Sequence, residues 1–159
     1  MEIVEIISDL WDFRPDLRLK ALLLSLVAMM AVMMRAYGNM SRARMQAGRD
    51  GRIHASDYAV VGAKPEPEDL ALHSRLLVNL FELPPVFMIL ILAFVTTGIE
   101  SWLTVKLAWL FVFFRFRHAQ IMTRENRVMH RRKMFIRSST MFIFMLAEFT
   151  IVIIFFAEL

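Results

Sequence analysis

Long apolar stretches alternate along this chain with short segments rich in charge. A membrane-spanning helix needs about 20 mostly apolar residues, and four stretches meet this need, at about residues 16–35, 76–99, 102–122 and 134–157. The third also carries Lys106, Arg115 and Arg117, and charged side chains are costly in lipid, so part of it must face protein or water. The pattern predicts an all-α integral membrane four-helix bundle, formed by a single domain over residues 1–159.

The segment before the first predicted span has a different pattern. Residues 1–13 contain four acids and five large apolar residues at roughly helical spacing. This predicts an amphipathic segment that lies against the bundle or the membrane interface, and a frayed terminus is the alternative.

Composition narrows the class of protein. Hydrophobic residues make up 58% of the chain, and mean hydropathy is +0.53, whereas soluble domains average about 45–50% apolar residues. The sequence has no cysteine, which excludes disulfides and a cysteine nucleophile. It also lacks a glycine-rich phosphate loop and a cluster at metal-ligand spacing. We therefore expect the lipid bilayer as a partner, no metal and no nucleic acid.

The distribution of charge between the loops predicts the orientation. Residues 35–75 hold seven bases against five acids, and residues 115–137 hold eight bases against Glu125 alone. Lys and Arg are retained on the cytoplasmic side of a membrane. Both basic loops are therefore expected in the cytoplasm and both termini outside, and the short loops favour a bacterial inner membrane.

Polar residues within the predicted spans are the candidates for function. Arg75, Asn79 and Glu82 stand at i, i+4 and i+7, so they share one face of the second helix. Helical rise places Glu82 and Arg115 at similar depth, which predicts an ion pair between them. That pair could be functional or could only stabilise the bundle. By the same depth argument, Lys106 and Glu148 are predicted to form a structural pair near the outer surface.

The third span continues into a run of bases. Arg117, Gln120, Arg124, Arg127 and Arg131 follow one another at spacings of three or four, so a helix continued past the membrane would present a basic stripe. Ordinary cytoplasmic charge near anionic lipid is the alternative.

A site with these residues suits a small anionic ligand together with an apolar one. Arginines bind carboxylates through paired hydrogen bonds, and the bilayer gives a lipophilic small molecule direct access. His118 shares the face of Arg115 and is either a satisfied buried imidazole or an acid or base. Positive charge also lowers the pKa of a bound thiol and so favours the nucleophilic thiolate.

The second-helix motif, Arg75-Leu-Leu-Val-Asn79-Leu-Phe-Glu82-Leu-Pro-Pro85, resembles the signature of the MAPEG family, membrane-associated proteins in eicosanoid and glutathione metabolism. The segments Val61-Gly62-Ala63-Lys64-Pro65-Glu66 and Arg115-Phe-Arg-His118 are also similar to family features. The resemblance implies a homotrimer that holds glutathione, as co-substrate, between subunits near the cytoplasmic face.

The resemblance also implies roles for individual residues. Arg131, or alternatively Arg127, would stabilise the thiolate in catalysis. Residues that would bind glutathione are Arg35, reaching in from a neighbouring subunit, and Arg75, Asn79, Glu82, Arg115 and His118.

Two functions follow as expectations. The first is a microsomal glutathione transferase or prostaglandin E synthase-like enzyme, a transferase or peroxidase-like protein acting on lipophilic electrophiles. The second is a non-catalytic relative that binds a lipid or small anion, favoured by Leu83, Met122 and Phe135 at positions where active members often carry Tyr. Inverted repeats that would indicate a transporter are not evident in the sequence.

Overall fold

Four α-helices dominate the described part of the chain, which comprises residues 17–59, 64–124 and 127–155 of a computed structural model. They are α1 (Leu17–Arg49), α2 (Glu68–Thr97), α3 (Trp102–Arg124) and α4 (Val128–Phe155), with a short 3-10 turn at Ala55–Tyr58 between the first two. These described ranges contain no strand, so the predicted all-α bundle is confirmed. The segment predicted to be amphipathic at residues 1–13 lies outside them.

α1 is longer than one membrane crossing requires. At about 1.5 Å per residue, its 33 residues extend over about 50 Å. It continues past the predicted span boundary at Arg35 because residues 36–49 are rich in the good helix formers Ala, Met, Arg and Gln and contain no proline. At its end, Gly51 has a φ of 67° and the Arg52 N–H donates to the Ala47 carbonyl at 2.9 Å, a closure typical of a left-handed glycine. The segment predicted as the start of the first loop, residues 36–49, is therefore a helical extension of α1.

α2 begins at the two acids Glu68 and Asp69, whose negative charge suits a helix N-terminus. It continues through Pro84 and Pro85. It ends at Gly98, whose φ of 67° lets its N–H donate back to the Phe94 carbonyl at 3.0 Å. The helix is thus continuous from the basic first loop to the opposite end of the bundle.

α3 is the central helix of the bundle and contacts the other three. It has ten buried residues, whereas α4 has two. Its aromatic side chains join the layers, since Phe111 stacks on Phe87 of α2 with ring centres 4.1 Å apart and lies 6.4 Å from Phe142 of α4. Arg115 is fully buried at this central position, which shields its charge from lipid.

The apolar character of the other helices suits a membrane. By length and composition, α1, α2 and α4 could each cross a bilayer. α3 is long enough at 23 residues, and of its charged residues it buries Arg115, whereas Lys106 and Arg117 are exposed. The chain is therefore an integral membrane protein with a helical-bundle fold.

Two expectations about the third and fourth helices are wrong. A single basic stripe does not form, because α3 ends at Arg124 and α4 begins at Val128, so the bases are divided between two packed helices. Lys106 does not pair with Glu148 either. Lys106 is exposed, and Glu148 Oε1 instead accepts hydrogen bonds from the hydroxyls of Ser101 at 2.5 Å and Thr104 at 2.9 Å.

Glu148→Ala is therefore expected to destabilise the protein by about 1–3 kcal/mol, because the half-buried and buried hydroxyls of Ser101 and Thr104 lose their shared acceptor. Lys106→Ala should change the free energy of unfolding by less than about 0.5 kcal/mol. Unfolding in detergent, followed by circular dichroism, measures both. Equal losses of stability in the two variants would instead support the predicted ion pair between Lys106 and Glu148.

Candidate functional site

The predicted polar stripe of Arg75, Asn79 and Glu82 lies on the outward face of α2. Arg75 and Glu82 are exposed and Asn79 is half-buried. Large apolar side chains surround them on the same side of the helix and are also exposed: Val78, Phe81, Val86 and Ile89. Glu82 lies near the middle of α2. The stripe therefore faces away from the core of the chain and is open to another molecule.

The ion pair predicted between Glu82 and Arg115 is not formed within the chain. The Glu82 carboxylate is near enough for its charge to act on Arg115. However, all three guanidinium nitrogens of Arg115 lack a hydrogen-bond partner. The sequence placed both residues at a similar depth, but Glu82 points outward from α2 whereas Arg115 points into the bundle.

Arg115 is fully buried, with 0% of its surface exposed. Its guanidinium lies between two aromatic rings, 4.7 Å from the centre of Phe135 on α4 and 5.4 Å from that of Phe111 on α3. Each cation–π contact contributes about 0.5–2 kcal/mol, whereas the desolvation of an ion amounts to several kcal/mol. The unpartnered guanidinium donors are therefore suited to an anion or another hydrogen-bond acceptor.

His118 joins α3 to the start of α4. Its Nδ1 lies 2.9 Å from the main-chain oxygen of Arg131, and since a carbonyl only accepts, Nδ1–H is the donor. In the neutral ring this leaves Nε2 as an acceptor, and Nε2 is buried without a partner. The α3–α4 interface thus holds guanidinium donors and an imidazole acceptor that are unmatched within the described residues. Arg131 itself is half-buried.

The other two candidate bases lie apart from this interface. Arg35 on α1 is exposed, with its Cζ 5.5 Å from the centre of the Phe116 ring. It lines a cleft of about 20 Å³ between α1 and α3, which has room for about one water molecule. Arg127 is exposed just before α4. The structure therefore brings Arg115, His118 and Arg131 together, places the α2 stripe outside them, and leaves Arg35 and Arg127 at separate positions.

A network that the spacing of residues did not reveal holds the first loop against α1 and α2. Glu66 accepts hydrogen bonds from Arg44 of α1 at 2.8 Å and from Ser74 of α2 at 2.5 Å. Arg44 also lies over the Tyr58 ring at 4.8 Å. Burial raises the pKa of Glu66, but hydrogen bonds from Ser74, Arg44 and Tyr58 outweigh it, so the net pKa is below the ordinary 4.5. Glu66 is therefore ionised at neutral pH and fixes the loop.

Glu66→Gln is expected to weaken the closure of this loop by about 0.2–1 kcal/mol at neutral pH, as for other partly exposed ion pairs. Because the folded-state pKa is lowered, the stabilisation is complete above pH 4.5 and is lost as the pH falls through the lower folded value. Hydrogen exchange of the loop amides, corrected for intrinsic rates, measures this. A difference between the two proteins that did not decrease as the pH was lowered from 4.5 would contradict it.

The MAPEG family model matches residues 22–151, which includes most of the chain and every candidate site residue. The chain belongs to the MAPEG family. No curated protein and no solved structure matches it. MAPEG family proteins are membrane helical bundles and include glutathione transferases and related membrane proteins.

Side chains outside the predicted set of site residues also lie in this part of the molecule. Phe111 and Phe135 flank the Arg115 guanidinium, and Ser74 and Arg44 donate hydrogen bonds to Glu66. The pairing of Arg44 with Glu66 joins positions on different elements, and no local spacing indicates it. The sequence did indicate Phe135, since it stands at a position where active members, by the resemblance, often carry Tyr.

Proposed function

We propose that this MAPEG protein is an integral membrane glutathione transferase or peroxidase-like enzyme that acts on lipophilic electrophiles. The observation that carries the proposal is the exposed stripe of Arg75, Asn79 and Glu82 on an otherwise apolar face of α2. A carboxylate in contact with lipid at membrane depth is strongly unfavourable. A second subunit and a polar ligand that together cover the stripe remove that contact, as in a homotrimer with glutathione between its subunits.

The stripe offers groups that match the ends of a tripeptide. Arg75 has no ion-pair partner among the described residues, and its guanidinium suits bidentate binding of a carboxylate. Glu82 and Asn79 accept hydrogen bonds from an ammonium or amide group. In the proposed complex, Arg115 and His118 stand behind the stripe and complete the polar lining, and Arg35 of a neighbouring subunit closes it.

The proposed chemistry begins with ionisation of the glutathione thiol. Arg131, with Arg127 as the alternative, favours the thiolate by its positive charge, and the thiol proton passes to solvent. The sulfur then forms a bond with the electrophilic carbon of a substrate that arrives from the bilayer, and the leaving group departs with its bonding electrons. The apolar side chains around the stripe suit such a substrate.

A non-catalytic MAPEG protein that binds a lipid or small anion is the second candidate. The position of Phe135 favours it, because this ring lies against Arg115 and His118 where a tyrosine hydroxyl could otherwise contact the thiol. Retention of the whole arginine, asparagine and glutamate stripe favours glutathione.

Calorimetric titration of the detergent-purified protein with glutathione tests the proposal. We expect saturable binding at or below about millimolar glutathione, the upper end of the usual substrate range. Arg131→Ala should reduce the ultraviolet absorbance of the bound thiolate, whereas Arg132→Ala, an exposed neighbour on α4, should not. Absence of binding contradicts the proposal, and binding of a neutral thiol selects the non-catalytic alternative.

We also propose that the basic loops face the cytoplasm of a bacterium and that both termini lie outside its inner membrane. A topology reporter fused after Leu159 should be active only on the outer side. Cytoplasmic activity of that reporter would reverse the orientation.

A further inference from the structure

A cavity of about 1020 Å³ opens at the basic end of the bundle. It lies between the helical extension of α1, the first loop and the first turns of α2. Four bases line it, namely Arg44, Arg52, Lys64 and Arg75, together with the two acids Asp57 and Glu66. Ligand pockets usually measure about 300–1,000 Å³, so a tripeptide fits within this cavity.

The bases of this cavity keep donors available although three of them are paired. Arg44 uses only Nη2, toward Glu66 and Ser74. Lys64 donates one hydrogen bond, to Asp57 at 3.0 Å, and an ammonium group has three donors. Arg52 binds Asp69 through Nη1, and its Nε lies 3.8 Å from Asp50, which leaves Nη2. Arg75 is the one base of this lining without an ion-pair partner in the described part of the chain, so its charge, together with the remaining donors, favours an anion.

Arg75 connects the cavity to the proposed glutathione site. It lines the cavity and is also the first residue of the α2 stripe, with no ion-pair partner in the described part of the chain. Asn79 follows about 6 Å further along the helix and Glu82 about 10 Å further, at about 1.5 Å per residue. A carboxylate held by Arg75 is therefore in reach of both the cavity and the stripe.

We infer that the cavity is the vestibule through which the anionic co-substrate reaches the stripe. This inference rests on the proposed function, because the stripe must bind that co-substrate. Fixed charges lining a concave surface raise the local concentration of an oppositely charged ligand and increase its association rate. Charges at the rim of a site act mainly on association and are screened by salt. Glu66 holds the loop so that this wall of the vestibule keeps its shape.

Surface plasmon resonance on the whole protein in phosphatidylcholine nanodiscs separates the two glutathione rate constants. The Arg52→Gln/Lys64→Gln double variant should associate about tenfold more slowly at low salt and dissociate at an unchanged rate. The difference should vanish at about 1 M salt, where the screening length is about 3 Å. A variant with Arg52→Gln and Lys64→Arg should associate with glutathione faster than the double variant, because arginine keeps the positive charge at position 64.

Arg49→Gln is the matched control, because Arg49 is an exposed base at the end of α1 outside the described lining of the cavity. Its association rate should equal that of the unaltered protein. Unchanged association in the double variant, or an equal decrease in Arg49→Gln, overturns the vestibule and leaves the proposed function intact. Failure of the unaltered protein to bind glutathione overturns both. Circular dichroism of each variant establishes that the helices are retained.

Discussion

Arg115→Met is expected to raise the melting temperature of the ligand-free protein and to weaken glutathione binding. The guanidinium is fully buried with three unpartnered nitrogens, and its desolvation, several kcal/mol, exceeds what two cation–π contacts return. Methionine has similar length and carries no charge. A gain of about 2 kcal/mol corresponds to about 4–8 °C for a chain of this size.

The same substitution should raise the glutathione Kd about tenfold, because it removes a buried positive charge behind the stripe that attracts the anionic ligand through a medium of low dielectric constant. Thermal unfolding and calorimetry measure the two effects. Arg117→Met is the matched control, since Arg117 is exposed on the same helix and bonds only Gln120 at 3.1 Å. A lower melting temperature for Arg115→Met would mean that the charge is paired in the ligand-free protein. A double-mutant cycle with Glu82→Gln then tests Glu82 as its partner.

The fold follows from the sequence because helical periodicity and apolar length are local properties. Runs of apolar residues predicted four helices, and the charges of α3 predicted that part of it must face protein or water. The extension of α1 to Arg49 was missed because its residues are too polar for a span, although they favour a helix. The length of an apolar run therefore predicted where the membrane spans lie, but it did not predict where the helices end.

The candidate site was less predictable because contacts between elements depend on the directions in which side chains point. Spacing placed Arg75, Asn79 and Glu82 on one face, and the structure has them along one side of α2. Depth alone suggested that Glu82 would meet Arg115 and that Lys106 would meet Glu148. Depth does not specify rotation about the helix axis, so both pairs fail. Glu148 on α4 accepts hydrogen bonds from Ser101 and Thr104 at the start of α3. Contacts between residues so far apart in the chain leave no local pattern in the sequence.

Glu82→Gln is expected to raise the glutathione Kd about 10- to 100-fold while the helices stay folded. The substitution keeps the shape of the side chain but removes its charge, and with it the charge-assisted acceptor for an ammonium group. Calorimetry in detergent measures the change. Glu68→Gln is the matched control, because Glu68 is an exposed acid in the first turn of the same helix and should leave the Kd unchanged.

Glu82→Leu distinguishes a ligand-binding role from a structural one. If the carboxylate serves the ligand, leucine abolishes binding and stabilises the ligand-free protein, since the exposed face of α2 then becomes apolar from Phe81 to Ile89. If Glu82 only stabilises contacts between subunits, leucine lowers the melting temperature and disperses the oligomer seen by native mass spectrometry. Retention of full glutathione affinity in Glu82→Leu would exclude the stripe as the binding site, because the charged acceptor for the ammonium group would be gone.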